Sequence, residues 1–314
     1  MGTGSGTAPS GVTLRDPTRS FLYLTLLCAF GLVQARAQSC PHCDEWNGRQ
    51  QPFRIFGNTY YVGPRGLTSL LITSPSGHVL IDGALPQSAG QIVANIRALG
   101  FRIEDVKLIV NSHVHFDHAG GIAELQRQSG ALVVASPWSA LVLRRGGVGK
   151  GDPQYGEIRP IAAVRNVRVL RDNESLRAGE TVITAHLTPG HTPGGTSWTW
   201  QSCQDKVCRN MVYADSLSPV SAREFRFSRS SSYPKVVEDF QQSFAFFENV
   251  PCDILITAHP ENSGLWDHLG ERASGSSPDP FFDPGACKRL ADSGREMLCK
   301  RLAEEQENVQ QQRP

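Results

Sequence analysis

The sequence predicts an α/β fold, a four-layer αβ/βα sandwich in which two mixed β-sheets lie face to face and helices cover the outer faces. One observation behind this prediction is that strand-like and helix-like segments alternate along the chain in two similar halves. Another is that neither a short-period repeat nor an interdomain linker interrupts them. Because α/β folds commonly reach about 200–250 residues undivided, we expect one domain over residues 38–305 and a polar tail over 306–314.

The first half begins with a predicted β-meander. Aromatic and apolar residues recur over residues 53–62 on both sides of a Gly-Asn turn, as in paired short strands. Farther on, Ile92, Ile96 and Leu99 share one face of an amphipathic helix that ends at Gly100. The predicted elements of this half are strands within 53–62 and at 67–73, 78–82, 106–110 and 131–135, and helices at 91–99 and 138–145.

The second half has the same alternation. Val236, Phe240, Phe244 and Phe247 recur at helical spacing, which indicates a core-facing helix rather than an aromatic binding site. The other predicted elements are strands at 167–170, 181–187, 196–200, 211–214 and 253–258, and a terminal helix at 285–305. Between the halves, residues 146–160 are Gly-rich, polar and without periodicity; this loop could flank an active site, but we interpret it as a surface connection.

Residues 1–37 have the pattern of a secretory signal peptide. Two arginines precede the apolar run 21–33, and the small-residue site Ala35-Arg36-Ala37 follows it. The run is too short for a membrane anchor, which needs about 20 apolar residues. Cys28 offers a lipid-anchor alternative, but Leu27 is larger than the small residue expected before such a cysteine. We therefore expect cleavage after Ala37, a periplasmic or secreted product and no membrane attachment afterwards.

Charge and cysteine content agree with an exported protein that does not bind nucleic acid. The full chain has 31 Lys plus Arg and 30 Asp plus Glu, whereas a nucleic-acid-binding protein is expected to carry a basic excess. Cys203 and Cys208 flank a polar turn, which suits a hairpin disulfide, and disulfides persist in oxidising compartments. The Cys40-Pro-His-Cys43 segment lacks the second Cys-x-x-Cys of a zinc knuckle. Cleavage of the leader would remove Cys28 and leave seven of the eight cysteines, so one thiol stays free, which we expect at Cys299.

The densest cluster of ligand-type side chains lies at residues 111–121, Asn-Ser-His-Val-His-Phe-Asp-His-Ala-Gly-Gly. His113 and His115 are two positions apart and point the same way only in extended chain. The segment is therefore predicted to be a junction between the buried strand 106–110 and a short helix that begins near His118. Such junctions lie at the carboxyl ends of strands, where α/β folds place their sites.

Several imidazoles with one carboxylate are typical zinc ligands. Two other segments supply further histidines: the turn Thr188-Pro-Gly-His-Thr-Pro-Gly-Gly, which contains His191, and the strand end that carries His259. With His113, His115, Asp117 and His118 they make six ligands. A catalytic zinc takes about three protein ligands and keeps one position open, so the sequence predicts two sites of three. A His-rich surface loop is the alternative.

These motifs resemble the metallo-β-lactamase superfamily, and most closely its subclass B3 enzymes. The resemblance rests on His-x-His-x-Asp-His with Ala-Gly-Gly, on Pro-Gly-His-Thr-Pro-Gly-Gly with Thr196-Ser-Trp-Thr-Trp200, on Ala214-Asp-Ser-Leu-Ser218 and on the late His259. It runs from about Phe53 to His268 and implies the same sandwich fold. It also implies a Cys252–Cys287 disulfide beside Cys203–Cys208, and it implies that Asp82 supports the metal-binding loop (residues 111–121) from behind. The alternative for Asp82 is an ordinary turn residue.

The resemblance further implies two Zn²⁺ per chain, the first bound by His113, His115 and His191 and the second by Asp117, His118 and His259. A metal-bound hydroxide, oriented by Asp117, would open the β-lactam ring of penicillins, cephalosporins and carbapenems and so confer antibiotic resistance. Ser216 and Ser218 would receive the substrate carboxylate, and a monomer is expected. A dinuclear zinc lactonase or thioester hydrolase is the alternative, because such relatives place a metal-bridging Asp near Asp215. A third hypothesis is a binding protein that zinc stabilises and that has no enzymatic activity.

Overall fold

A computed structural model describes residues 1–2 and 40–311 of the chain. The predicted leader, its cleavage site after Ala37 and the Cys28 alternative lie outside the described residues. Residues 40–311 form two mixed β-sheets with helices on their outer faces, which confirms the predicted four-layer αβ/βα sandwich. Within these residues, no helix combines the length and the apolar character needed to cross a membrane.

The first sheet has seven strands in the order of the sequence, antiparallel from β1 to β4 and parallel from β4 to β7. The predicted meander is therefore correct. Apolar side chains fill both faces of its central strands, as expected for strands buried between two layers. The strands are β1 (Phe53–Phe56), β2 (Thr59–Tyr61), β3 (Leu70–Ile72), β4 (His78–Ile81), β5 (Val106–Val110), β6 (Leu132–Ala135) and β7 (Val167–Val169).

The second sheet has five strands in the order β12-β11-β10-β9-β8, and only β11 and β12 are parallel. Strand β8 was not predicted from the sequence. It has four residues, of which only Leu176 and Ala178 are buried, so its apolar alternation is too short to recognise. The strands are β8 (Ser175–Ala178), β9 (Thr181–Leu187), β10 (Thr196–Gln204), β11 (Val207–Ala214) and β12 (Ile254–Thr257).

The helices depart from the sequence prediction at three places. Helices α1 and α7 were not predicted, and α8 continues to Gln311, so residues 306–311 of the predicted polar tail are helical. Glutamate and glutamine are good helix formers, which accounts for the extension. The helices are α1 (Cys43–Trp46), α2 (Ala89–Ala98), α3 (Phe116–Ala119), α4 (Ile122–Ser129), α5 (Pro137–Arg145), α6 (Val236–Asn249), α7 (Leu265–Ala273) and α8 (Ala286–Gln311).

Buried apolar side chains form three layers between the four layers of secondary structure. Helices α2, α4 and α5 pack on the outer face of the first sheet through residues such as Ile92 and Leu125. The inner faces of the sheets meet at Val110 and Trp198. Phe240 of α6, together with side chains of α8, covers the second sheet. These layers place the carboxyl ends of β5, β11 and β12 along one edge of the sandwich.

Three pairs of cysteine sulfurs lie at bonding distance. Cys203–Cys208 joins β10 to β11 and Cys252–Cys287 joins the start of β12 to α8, which is the pairing that the resemblance implied. Cys40 and Cys43 also pair, which the sequence analysis did not anticipate. Cys299 is exposed and pairs with no cysteine in the part of the chain that the structure describes.

Replacing Cys252 and Cys287 by alanine is expected to lower the free energy of unfolding by about 4 kcal/mol, because their bond closes a loop with a sequence separation of 35 residues. Urea unfolding of the oxidised protein measures the loss. The matched variant without Cys203 and Cys208 should lose only about 2 kcal/mol, since its separation is 5 residues. Equal losses would contradict the loop-entropy explanation.

Candidate metal centre

The segment that follows β5 carries most of the predicted ligands. Strand β5 lies between two parallel neighbours, so its carboxyl end opens at an edge of the sheet. Strand β5 ends at Val110, the backbone of His115 is extended, and α3 begins at Phe116. His113 and His115 lie in the same group of potential ligands. The short helix that was predicted to begin near His118 is present, and α3 begins two residues earlier, at Phe116. The strand-to-turn junction itself is as predicted.

Two glycines let this segment lie close to its neighbours. Helix α3 ends before Gly120-Gly121, and α4 begins at Ile122. A side chain on Gly120 would collide with Pro86, and one on Gly121 would collide with the carbonyl of Gly83. The metal-binding loop thus sits directly against the turn after β4.

The other two predicted ligands arrive from the second sheet. His191 lies in the turn between β9 and β10, and His259 follows β12 directly. Gly190 precedes His191 with a φ of +140°, in close contact with the ring of Phe240. A larger residue would be strained there, so this glycine fixes the direction in which the turn enters the site.

The structure brings all six predicted ligands together as two adjacent groups of three. One group is His113, His115 and His191, and the other is Asp117, His118 and His259; within each group the potential ligand atoms lie within 4.8 Å of one another. In the second group, Asp117 Oδ2 is 3.3 Å from His118 Nε2 and 3.5 Å from His259 Nε2. The ring centroids of His113 and His118 are 4.4 Å apart, so the groups adjoin.

In the first group, the ring nitrogens that face away from the other ligands make hydrogen bonds, and these bonds orient the rings. His113 Nδ1 lies 2.7 Å from Asp215 Oδ1, and His191 Nδ1 donates to the carbonyl of Ser218 at 2.8 Å. Among the described residues, none is a hydrogen-bond partner of the buried Nε2 of His113. A buried polar atom without a partner is costly, and this one is directed into the group of potential ligands, which is where a metal ion would complete it.

Asp82 supports the loop from behind. Its carboxylate is fully buried and accepts hydrogen bonds from the backbone N–H and the hydroxyl of Ser112, both at 2.7 Å, and from Tyr213 Oη at 2.6 Å. Its Oδ2 is also 3.9 Å from His118 Nδ1. Of the two roles considered for Asp82, the structure favours the one behind the metal-binding loop. Tyr213 was not singled out in the sequence, because a tyrosine in an apolar strand carries no signal of such a contact.

Burial and neighbouring charges shift the pKa values of several potential ligands. Burial, followed by the nearby imidazoles, lowers the pKa of His113 well below its usual value, and burial with His115 lowers the pKa of His191 to about 3. Burial alone would raise the pKa of Asp117, but His118 and His259 beside it hold that pKa well below its ordinary value. These shifts favour neutral imidazoles at His113 and His191 and an ionised carboxylate at Asp117. Burial alone would lower the pKa of His118, whereas the carboxylates of Asp117 and Asp82 outweigh burial and raise that pKa.

Ser216 and Ser218 are half-buried at the end of β11. Ser218 is tied to the site through its carbonyl, and its hydroxyl lies 3.5 Å from His191 Nδ1. Asp215, by contrast, lies behind His113 and contacts the outer nitrogen of that ring. It does not stand between the two groups, as a metal-bridging aspartate would.

Two further segments reach the site although the sequence did not indicate them. Asp152 lies 3.2 Å from His115 Nε2, and Gln154 Nε2 lies 3.4 Å from His191 Nε2. Both belong to the 146–160 loop, so its interpretation as a plain surface connection was wrong. Trp46 of α1 places its ring centroid 5.5 Å from that of His259. These contacts are made across long sequence separations, and local pattern carries no signal for them.

The fold and the site together define a class of protein: a two-sheet sandwich with two adjoining groups of metal-ligand-type side chains at its strand ends. The sequence profile of the metallo-beta-lactamase superfamily matches residues 62–205. Among solved structures, the chain is 57% identical to Rm3 metallo-beta-lactamase, with a TM-score of 0.83, over 85% of this chain and 99% of that one. The chain belongs to the metallo-β-lactamase superfamily.

Two other relatives bear on function. The chain is 50% identical, with a TM-score of 0.82, to MEM-A1, a subclass B3 metallo-beta-lactamase isolated from a soil metagenome library, over 84% of this chain and 99% of that one. It is 29% identical over 158 residues to the N-acyl homoserine lactonase AttM of Agrobacterium fabrum, which is 41% of this chain and 57% of that protein. The chain thus spans little more than half the length of this curated relative.

Proposed function

We propose that the protein is an exported, monomeric zinc hydrolase that opens the β-lactam ring of penicillins, cephalosporins and carbapenems. The observation that carries this proposal is the pair of adjoining ligand groups, whose potential ligand atoms lie within 4.8 Å of one another in each group. Full-length similarity to a subclass B3 enzyme supports the choice of substrate. Export is supported by the leader pattern, and the paired cysteines fit an oxidising compartment.

The residues present fit two zinc ions. Histidine nitrogen with a single carboxylate is a typical zinc donor set, and the unpartnered Nε2 of His113 marks where one ion would bind. His113, His115 and His191 would hold the first ion, and Asp117, His118 and His259 the second. When bound, such ions lower the pKa of a coordinated water to about 7 and polarise the carbonyl under attack.

The side chains of the protein would position the reactants. Asp117, beside both groups, would accept a hydrogen bond from the attacking water and so aim it at the lactam carbonyl carbon. The new C–O bond forms as the lactam C–N bond breaks, and the proton from the water ends on the departing nitrogen. Ser216 and Ser218, at the end of β11, would hold the substrate carboxylate and thereby fix the ring over the site.

A lactone or thioester is the alternative substrate, and the similarity to AttM is the observation that favours it. The position of Asp215 speaks against it, since that carboxylate lies behind His113. One zinc-loaded preparation should be assayed with a carbapenem, an acyl-homoserine lactone and a thioester. We expect the highest kcat/KM for the carbapenem. Faster turnover of the lactone or thioester would overturn the choice of substrate, and no turnover with two metals bound would indicate a binding protein.

Replacing Ser216 and Ser218 together by alanine is expected to raise KM for a carbapenem more than it lowers kcat. The variant would lose contacts to the substrate carboxylate that are equally strong in the ground state and the transition state, while the reacting groups remain. Each lost hydrogen bond to a carboxylate contributes about 1.5–3 kcal/mol, so KM should rise on the order of tenfold or more. Steady-state kinetics measure both constants. A fall in kcat with KM unchanged would instead give these serines a part in the transition state.

A further inference from the structure

The carboxylate of Asp152 is the feature of the 146–160 loop that most needs explanation. Its side chain is completely buried, and its two oxygens lie 3.3 and 3.2 Å from Nε2 of His115. A buried charge is costly unless it is paired and hydrogen-bonded. Among the described residues, the ring that contacts this carboxylate is that of His115, so the position of the carboxylate is tied to that ring.

The same carboxylate also shapes the loop. Asp152 Oδ1 accepts a hydrogen bond from the backbone N–H of Gln154 at 2.8 Å. This turn directs the side chain of Gln154 toward the site, where its Nε2 lies 3.4 Å from Nε2 of His191. Asp152 thus contacts the imidazole of His115 and also the backbone of Gln154, whose side chain reaches the same ligand group.

The ring nitrogens explain why a carboxylate is needed at this point. His113 and His191 use Nδ1 for their outer hydrogen bonds, to Asp215 and to the Ser218 carbonyl, so both present Nε2 to the centre. His115 has the opposite arrangement, because its Nε2 faces Asp152. A neutral imidazole has one N–H and one lone pair. An acceptor at Nε2 therefore selects the tautomer whose lone pair is on Nδ1.

We propose that Asp152 is a positioning residue that selects the Nδ1-ligating tautomer of His115 and, through Gln154, holds the 146–160 loop against the same ligand group. The inference rests on the proposed function, because it concerns the first metal ion of that site. Carboxylates that accept from metal-binding histidines raise the basicity of the ligand, and their loss typically weakens metal binding about 10–100-fold. The loop is thereby part of the metal centre.

The loop has separate anchors that do not involve His115. The backbone N–H of Ala222 donates to the carbonyl of Pro153 at 2.9 Å, and the exposed Glu157 accepts from the backbone N–H of Arg223 at 3.2 Å. Glu157→Gln is therefore a matched control, since it neutralises a carboxylate of the same loop far from the ring of His115. Gln154→Ala tests the second arm alone: it removes the contact with His191 but keeps Asp152 beside His115, so it should weaken metal binding less than Asp152→Ala does.

The test compares Asp152→Ala, Asp152→Asn and the control by competition with a chromophoric chelator and by the visible spectrum of the Co²⁺-substituted protein. We expect Asp152→Ala to weaken binding of one of the two ions about 10–100-fold and to change the Co²⁺ spectrum. Asp152→Asn should weaken metal binding less, because the asparagine amide oxygen can still accept a hydrogen bond from the ring of His115. The control should retain the affinity and spectrum of the unmodified protein.

Unchanged affinity in Asp152→Ala would overturn the proposal, as would an equal loss in Glu157→Gln. Urea unfolding of the metal-free proteins separates positioning from folding: a large loss of stability in metal-free Asp152→Ala would assign Asp152 a structural role instead. None of these readouts uses a substrate. Failure to hydrolyse a carbapenem would therefore overturn the proposed function without affecting the result for Asp152.

Discussion

Asp117→Asn is expected to lower kcat/KM for a carbapenem about 10²–10⁴-fold, the range typical of a lost general base. Asparagine has nearly the same shape, and its amide oxygen can still accept a hydrogen bond, but it lacks the negative charge and the basicity with which the carboxylate acts on the attacking water. The loss should be largest in kcat, because the group acts on the reacting water. Steady-state kinetics on the zinc-loaded variant measure it.

The fold of this variant should survive. Asp117 contacts His118 and His259 at the site, and it does not belong to any of the three apolar layers. Urea unfolding and circular dichroism check this expectation, and Asp44→Asn, at an exposed position of α1, is the matched control. Collapse of the fold in Asp117→Asn would indicate a structural zinc instead.

Removal of metal is expected to abolish hydrolysis while the sandwich stays folded. The purified mature chain should contain two zinc ions before chelation and none after it, and zinc added back should restore activity. The reason is that both ligand groups lie at strand ends, outside the apolar layers that hold the sheets together. Metal analysis beside the activity assay provides the measurement. Full activity with one metal or none would refute the dinuclear proposal.

The metal-free protein should also be less stable, because a ligand that binds only the folded state stabilises it by mass action. At a zinc concentration of about 100 times the dissociation constant, that contribution is about 2.7 kcal/mol for each site. Urea unfolding with and without zinc measures it. An identical unfolding curve in both conditions would mean that the six side chains do not bind the metal.

Local sequence was enough to predict the sandwich and to assign six potential metal ligands to one site. Strand β5 is apolar except for the exposed Lys107, so it was expected to be buried, and the histidines that follow it were expected at an edge of the sheet. His191 and His259 could be added because each stands at a predicted strand end in a distinctive segment. Helix α6 was equally evident, since its phenylalanines recur with the helical period.

Only the tertiary structure decided how these ligands are oriented. Asp215, the Ser218 carbonyl and Asp152 determine which nitrogen each imidazole of the first group presents, and they come from a strand end, a turn and an irregular loop. Such contacts join residues 27 to 102 positions apart. No periodicity or local propensity encodes a pairing across that distance, because it exists only once the two sheets have packed and brought their loops to the same edge.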